Sequence, residues 1–310
     1  LPNNPIGIIE NPVNNVPGIP IIVNPWPTRE RVLSMCGCQD KEEFVARFNK
    51  LRTNLIPPVV LKKHEAPVKE VIIPEDKVNL YNVPRNWVEF ETTSWSPTGG
   101  SQFVVFDPET GTHDLGEWRA GFLDWEEGDP NRPFSEERRK KYACATLIYV
   151  GSQESDGGRF YRERYRKKNK PMPAAFAMCS DPAMIAVAST RSSLRWPEDG
   201  VDEYSAAGGF IGEPVPVVPA ETIPGLMVPA NAEWVFEGEF LAEDYIVPAY
   251  SEGISVGCMF GGHACPIFRV KCITHRKNPL WCTTWSTNGL DHLGVHRGLT
   301  NLVLEVDAIN

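Results

Sequence analysis

The density of turn-forming residues constrains this chain more than any other feature. With 28 prolines and 25 glycines among 310 residues, long helices have little uninterrupted room, and short strands joined by tight turns are favoured. Helices must fit between the breakers. Asp40 to Thr53 reads as one, because Asp40 can cap it and Phe44, Phe48 and Leu51 recur at i, i+4 and i+7. Ser135–Lys141 and Gly158–Lys170 also read as helices. Asp181 followed by Pro182 predicts a capped helix over Ala183–Ser189 with proline at its first position. Residues 1 to 35 read as short strands with turns, and 55 to 90 as an extended connector dense in Pro and Val. Strands are predicted over 101–106, 173–179, 233–237 and 267–275. The whole reads as α/β, of the α+β kind, with a large antiparallel component.

Composition narrows the classes of function. Hydrophobic residues make up 42% and charged residues 23%, enough apolar content to build a core and too much for wholesale disorder. The net charge of −9 argues against nucleic acid as a partner, since phosphate binding needs clustered cations. One basic stretch, Arg159 to Lys170, carries Phe160, Tyr161 and Tyr165 between its cations and reads as a solvated helix with an aromatic inner edge. No apolar run approaches the roughly 18 residues that a membrane helix requires, so no membrane association is expected. The N-terminal Leu-Pro-Asn-Asn has neither an initiator Met nor a basic-then-apolar leader, which reads as a mature or trimmed chain. Eight cysteines occur without a CxxC pair, which reads as reduced, partly buried thiols in a cytoplasmic protein rather than a zinc site.

The stretch Asp107 to Arg119, DPETGTHDLGEWR, follows the strand over 101–106 and opens with turn chemistry. If the chain resumes a strand, residues 114, 116 and 118 share one face and 115, 117 and 119 the other. On spacing alone, Asp114 and Arg119 read as solvated residues of a surface hairpin.

Several blocks, in order, resemble the UbiD-like decarboxylases that use prenylated FMN. They are IIENPVNNVPGIPIIVNPWPTRERV (8–32), APVKEVIIPEDKVNLYNVP (66–84), DPETGTHDLGEWR (107–119), PMPAAFAMCSDPAMIAVAS (171–189), DGVDEYSAAGGFIGEPVPVVPAETI (199–223), VPANAEWVFEGEF (228–240) and FRVKCITHRKNPLW (268–281). The resemblance implies a central FMN-binding split β-barrel with flanking α/β elements. It implies an N-terminal α/β region and connector over 1–90, the flavin- and metal-binding barrel over 91–285, and the start of an incomplete C-terminal region over 286–310. Loss of CO₂ from an sp² carbon leaves a high-energy anion that no side chain can delocalise, so a cofactor must act as the electron sink. The resemblance supplies prenylated FMN, with Mn²⁺ or a similar divalent metal and K⁺ tying the flavin phosphate to the protein.

The resemblance also assigns residues. Asp114 matches the first metal-ligand position and Glu203 the metal-binding glutamate. The third ligand is normally a histidine in a loop that here reads Gly151-Ser-Gln-Glu-Ser-Asp-Gly-Gly158, so Glu154, or else Asp156, stands in its place. Ser192 and Ser193 match a loop against the flavin phosphate, and Arg119 matches the arginine that clamps the substrate carboxylate. Glu252 matches the acid that pairs with this arginine, while the second acid falls near Gly257 and is missing. Glu233 and Glu237 read as structural, and His113 as a spare ligand that strand alternation turns away from Asp114. The implied reaction is reversible decarboxylation of an aromatic acid, first of all a phenolic one, or of an α,β-unsaturated acid. Its implied partners are that acid, CO₂, a flavin prenyltransferase as cofactor supplier, and further subunits of a homo- or hetero-oligomer. The alternative is a non-catalytic or regulatory subunit of a heteromeric carboxylase.

Overall fold

A computed structural model describes residues 7–12, 16–23, 28–84, 101–116, 120–123, 132–145, 156–188, 200–247, 250–252, 258–260 and 263–283. Strands β1 (Gly7–Ile9) and β2 (Ile21–Val23) precede helices α1 (Arg29–Met35) and α2 (Lys41–Phe48). Strands β3 (Val59–Val60) and β4 (Val71–Ile73) lie among short 3-10 turns. Then come β5 (Ser101–Phe106), β6 (His113–Gly116), β7 (Ala120–Phe122), α3 (Glu136–Lys141), β8 (Tyr142–Ala145), α4 (Asp156–Phe160), β9 (Met172–Met178), α5 (Pro182–Ala188) and α6 (Glu203–Ile211). The remainder is β10 (Pro216–Pro219), β11 (Met227–Pro229), β12 (Trp234–Val247), β13 (Tyr250–Glu252), β14 (Cys258–Phe260), β15 (His263–His275) and β16 (Trp281–Thr283).

The principal sheet is antiparallel and runs β6-β5-β9-β12-β15-β8-β7, with β4 also paired to β15. Its two end strands, β6 and β7, are consecutive in sequence. Gly116 and Ala120 are four residues apart, so their Cα atoms lie within about 14 Å of each other. Seven strands laid flat would separate the edges by about 29 Å. The sheet therefore curls until its ends approach. Two smaller sheets, β1-β2-β16 and β11-β10-β3, and the hairpin β13-β14 complete the strands among the described residues.

The curl has an inside and an outside, and strand alternation sorts side chains between them. Phe103 and Val105, Phe176, Trp234, Phe236 and Phe268 pack on the inner face. Phe103 meets Phe176 at 4.9 Å, Phe240 at 5.0 Å and Phe268 at 5.3 Å between ring centroids. Each such ring contributes roughly 1.5–3 kcal/mol through burial, and a paired contact adds about 0.5–1.5 kcal/mol. On the outer face, Val104, Phe106, Leu115, Ala175, Ala177 and Val235 pack under the helices. Helix α5 is apolar on every side, and Ala183 to Ala188 are all buried between the sheet and its neighbours.

Several expectations shift at element ends. Asp40 caps α2, accepting from Glu43 N–H at 2.8 Å, but the helix stops at Phe48 and the chain turns through 49–53 so that Asn54 can reach Gly209 O at 2.6 Å. Residues 29–35, expected as strand and turn, form α1 under a Thr28 cap, with Val32 and Leu33 buried. The basic stretch starts two residues early, at Asp156. It passes through a π-helical turn over Tyr161–Tyr165 and a 3-10 turn over Arg166–Lys168, and ends with Asn169 left-handed at φ 52°. Phe160 and Tyr161 face inward while Lys167, Lys168 and Lys170 are exposed, the solvated face with an aromatic edge that the sequence predicts. No helix among the described residues is long and apolar enough to cross a membrane.

Candidate functional site

The hairpin β5–β6 is not a surface hairpin. Its turn is closed by Gly111 N–H to Asp107 O at 2.6 Å and by Glu109 N–H to the Asp107 carboxylate at 2.9 Å. Gly111 sits at φ 76°, a conformation that a side chain would strain. Beyond the turn His113, Asp114 and Leu115 are all buried. The solvated reading of Asp114 therefore fails: its strand pairs with β5 inside the principal sheet, and Asp114 is buried although its sequence shows only local turn chemistry.

One edge of β6 pairs with β5; the other carries the N–H groups of His113 and Leu115. The two acids that open α6 take up both. Asp202 Oδ2 accepts from His113 N–H at 2.9 Å, and Glu203 Oε2 accepts a short bond from Leu115 N–H. Asp202 is also the helix cap, its Oδ1 accepting from Ser205 N–H at 3.2 Å. Asp114 lies between the two stapled residues. Its cross-strand partner Val105 belongs to the inner core, so Asp114 is on the concave side of the curl.

His113 points the other way, as alternation predicts. Its ring packs against Phe106 and Tyr204 at 5.9 and 5.3 Å between centroids. Nε2 accepts from Met227 N–H at 3.1 Å, so the ring proton sits on Nδ1 and is donated to Asp202 Oδ2 at 2.9 Å. With both nitrogens engaged, His113 is not available as the spare metal ligand. Tyr204 beside it donates to Met227 O at 3.0 Å, and burial, reinforced by Asp202, pushes its phenol well above the ordinary range.

Glu237 and Glu233 are held away from this site. Glu237 Oε1 accepts from Lys69 Nζ at 3.2 Å and Glu221 N–H at 2.8 Å. Its Oε2 accepts from Thr222 N–H at 2.8 Å and Thr222 Oγ1 at 2.9 Å. Glu233 accepts from Leu280 N–H at 3.0 Å and pairs with Arg276 Nε at 3.3 Å, while burial raises its carboxyl pKa. Cys36, Cys38, Cys179, Cys272 and Cys282 are free thiols; burial pushes those of Cys36 and Cys272 up to about 12.

Arg119, Glu154, Ser192 and Ser193 lie outside the described residues. Glu252 ends β13 opposite Cys258, at the mouth of the hairpin to β14; its side chain is outside the description. Ala120 and Gly121, directly after Arg119, line an apolar cavity of about 30 Å³ together with Phe122, Ala143, Phe176 and Trp281. That volume is far below what a flavin ring needs. Among the described residues no three His, Cys, Asp or Glu side chains group to hold a metal. Asp114 and Glu203 do supply two buried carboxylates on adjoining elements, the oxygen donors that a hard divalent cation takes. Sequence reading passed over Asp202; the available signal was an acid directly before a helix start.

The fold defined here is that of the UbiD-class enzymes. The structure of HmfF from Pelotomaculum thermopropionicum in complex with prFMN superimposes with a TM-score of 0.74 at 18% identity, covering 93% of this chain and 60% of that one. The vanillic acid decarboxylase of Sedimentibacter hydroxybenzoicus gives 0.73 at 20% identity, over 95% and 57%. Residues 59–288 match the family model described as the 3-octaprenyl-4-hydroxybenzoate carboxy-lyase Rift-related domain. The chain belongs to the UbiD family. Among curated relatives, ferulic acid decarboxylase 1 of Saccharomyces cerevisiae is 26% identical over 73% of this chain and 40% of its own length. Pyrrole-2-carboxylic acid decarboxylase of Pseudomonas aeruginosa is 38% identical over 38% of this chain and 23% of its own. The chain thus spans less than half of either curated relative.

Proposed function

We propose that this chain carries the flavin- and metal-binding part of a carboxy-lyase that reversibly decarboxylates an aromatic acid, first of all a phenolic one, or an α,β-unsaturated acid, with prenylated FMN. The observation that carries the reading is the junction of the Asp114 strand with the Glu203 helix start, within a chain of the UbiD family. Support for a split barrel comes from the covalent limit of about 14 Å between the two sheet ends, with Arg119 on the connection between them. In this reading residues 91–285 form the barrel unit, after an N-terminal region over 1–90 and before the start of a further region over 286–310.

The carboxylates of Asp114 and Glu203 would hold Mn²⁺ or a similar cation, with Glu154 as third ligand and K⁺ nearby; Ser192 and Ser193 would lie against the flavin phosphate. When bound, prenylated FMN supplies the electron sink for the carbanion that loss of CO₂ leaves. Arg119 grips the substrate carboxylate through its planar fork and fixes the direction of the breaking bond. Glu252 would pair with Arg119 or, with no acid at Gly257, would instead occupy the position of the group that delivers the proton replacing CO₂. The named decarboxylase relatives support the reaction class. The chain's remaining partners are proposed to be a flavin prenyltransferase and other subunits.

The test is co-expression with a flavin prenyltransferase, followed by absorbance and mass of the released flavin and by exchange of labelled CO₂ into substrate. Arg119→Ala is expected to abolish exchange while the protein stays folded; unchanged exchange refutes the reading. The missing acid at Gly257 favours one second reading, a non-catalytic subunit of a heteromeric carboxylase. A folded protein that never retains flavin would support it.

A further inference from the structure

The geometry points to Asp202 as a positioning residue that holds the two metal-binding carboxylates in register. This rests on the reading of Asp114 and Glu203 as the metal-holding pair. Asp114 lies on strand β6 and Glu203 on helix α6, so the spacing of the two buried carboxylates depends on how those elements are held together, and a tie that is not itself a metal ligand keeps that spacing whether or not a cation is bound. Helix α6 and strand β6 are tied by two bonds, two residues apart along the strand edge: Asp202 to His113 and Glu203 to Leu115. Glu203 is itself a ligand candidate, so its bond to Leu115 is shared with the metal. Asp202 has no such second duty.

Three contacts converge on the Asp202 carboxylate. Oδ2 receives both His113 N–H and His113 Nδ1–H, each at 2.9 Å, and Oδ1 receives Ser205 N–H at 3.2 Å. His113 extends the tie, because its Nε2 accepts from Met227 N–H at 3.1 Å and so links α6, β6 and β11 through one side chain. The tie thus flanks Asp114 on the strand and Glu203 on the helix, each being the next residue along the chain. Replacing a group that orients a metal ligand typically costs about 10–100-fold in affinity.

Two substitutions separate the two jobs of Asp202. Serine is as good a helix cap as aspartate but is too short to reach His113, so Asp202→Ser keeps the cap and cuts the tie. In Asp202→Asn, the amide oxygen can keep both His113 contacts while the amide nitrogen faces Ser205 N–H, so the tie stays and the cap is lost. Mn²⁺ affinity of the purified full chain, titrated by the electron paramagnetic resonance signal of the free ion, reads the difference. Thermal unfolding is recorded beside it, with Thr222→Val as a control remote from the pair. Asp202→Ser is expected to weaken Mn²⁺ binding at least about tenfold, and Asp202→Asn less than about threefold. Thr222→Val should lower the melting temperature without moving Mn²⁺ affinity. Equal affinity of wild type and Asp202→Ser, with Glu203→Gln failing to bind, overturns the role of Asp202 alone. Affinity that simply follows melting temperature across the variants overturns it as well. A wild-type chain that binds no Mn²⁺ removes the metal-pair reading and this inference with it.

Discussion

Glutamine in place of Glu237 isolates what a fully buried carboxylate does in this fold. Both the Lys69 and Glu237 side chains are 0% exposed, and the carboxylate receives four donors, two on each oxygen. Glutamine offers one oxygen and one NH₂. With the oxygen kept toward Lys69 and Glu221, the NH₂ can donate to Thr222 Oγ1, but it leaves Thr222 N–H facing another donor. An orphaned buried N–H costs about 1–3 kcal/mol. Lys69 meanwhile loses its buried countercharge and, among the described residues, keeps Glu221 at 3.4 Å as its ion-pair partner. The sum is about 3 kcal/mol, at the low end of the usual cost of breaking a buried pair. For 310 residues, an unfolding entropy of about 2.1 cal/mol/K per residue turns this into a drop in melting temperature of about 5 °C. Thermal unfolding followed by near-UV circular dichroism gives the shift. The double variant Lys69→Met/Glu237→Gln should be less destabilised than the sum of the singles by at least about 1 kcal/mol, since the second change removes the charge that the first left unpaired. CO₂ exchange below the melting point should stay within about twofold of wild type, since Glu237 is remote from the proposed chemistry. A shift under 1 °C, or additivity within about 0.5 kcal/mol, would refute this account of the cluster.

Two further perturbations probe the packing. A Cβ on Gly209 would lie 1.5 Å from the backbone oxygen of Asn54, so Gly209→Ala must push α6 away from the 54–56 segment; the expected result is a loss above about 3 kcal/mol or insoluble protein, and a wild-type melt would contradict the close approach. His275 stacks on Trp234 at 4.4 Å, and burial lowers its pKa below 6.5, against an opposing hydrogen bond from its ring to Arg276 O. Below pH 6.5 the unfolded chain therefore takes up a proton that the folded one resists, so this group's contribution to stability falls with pH until the folded pKa is passed. His275→Gln should flatten the stability profile between pH 6.5 and that lower value, and an unchanged slope there would rule the mechanism out.

What could be read from the chain alone was local. The Asp40 cap, the Pro182 helix start, the aromatic edge of 158–170 and the strand over 101–106 all follow from patterns a few residues long, and the structure carries each of them. The ordered blocks were specific enough to identify the family, which residues 59–288 match. Tertiary structure decided the rest. Nothing near Asp114 says that it is buried, because its strand joins a sheet built from elements remote in sequence. Nothing near Asp202 says that it ties two elements, because His113 is 89 residues away in sequence. Glu237 and Glu203 look alike as acids at the edge of apolar runs. One is surrounded by four donors in a sealed cluster, and the other meets the open edge of the Asp114 strand. Propensity, capping and alternation are settled within one or two turns of chain. Burial and hydrogen-bond partners depend on which distant surfaces the curled sheet brings together, and only the folded chain decides that.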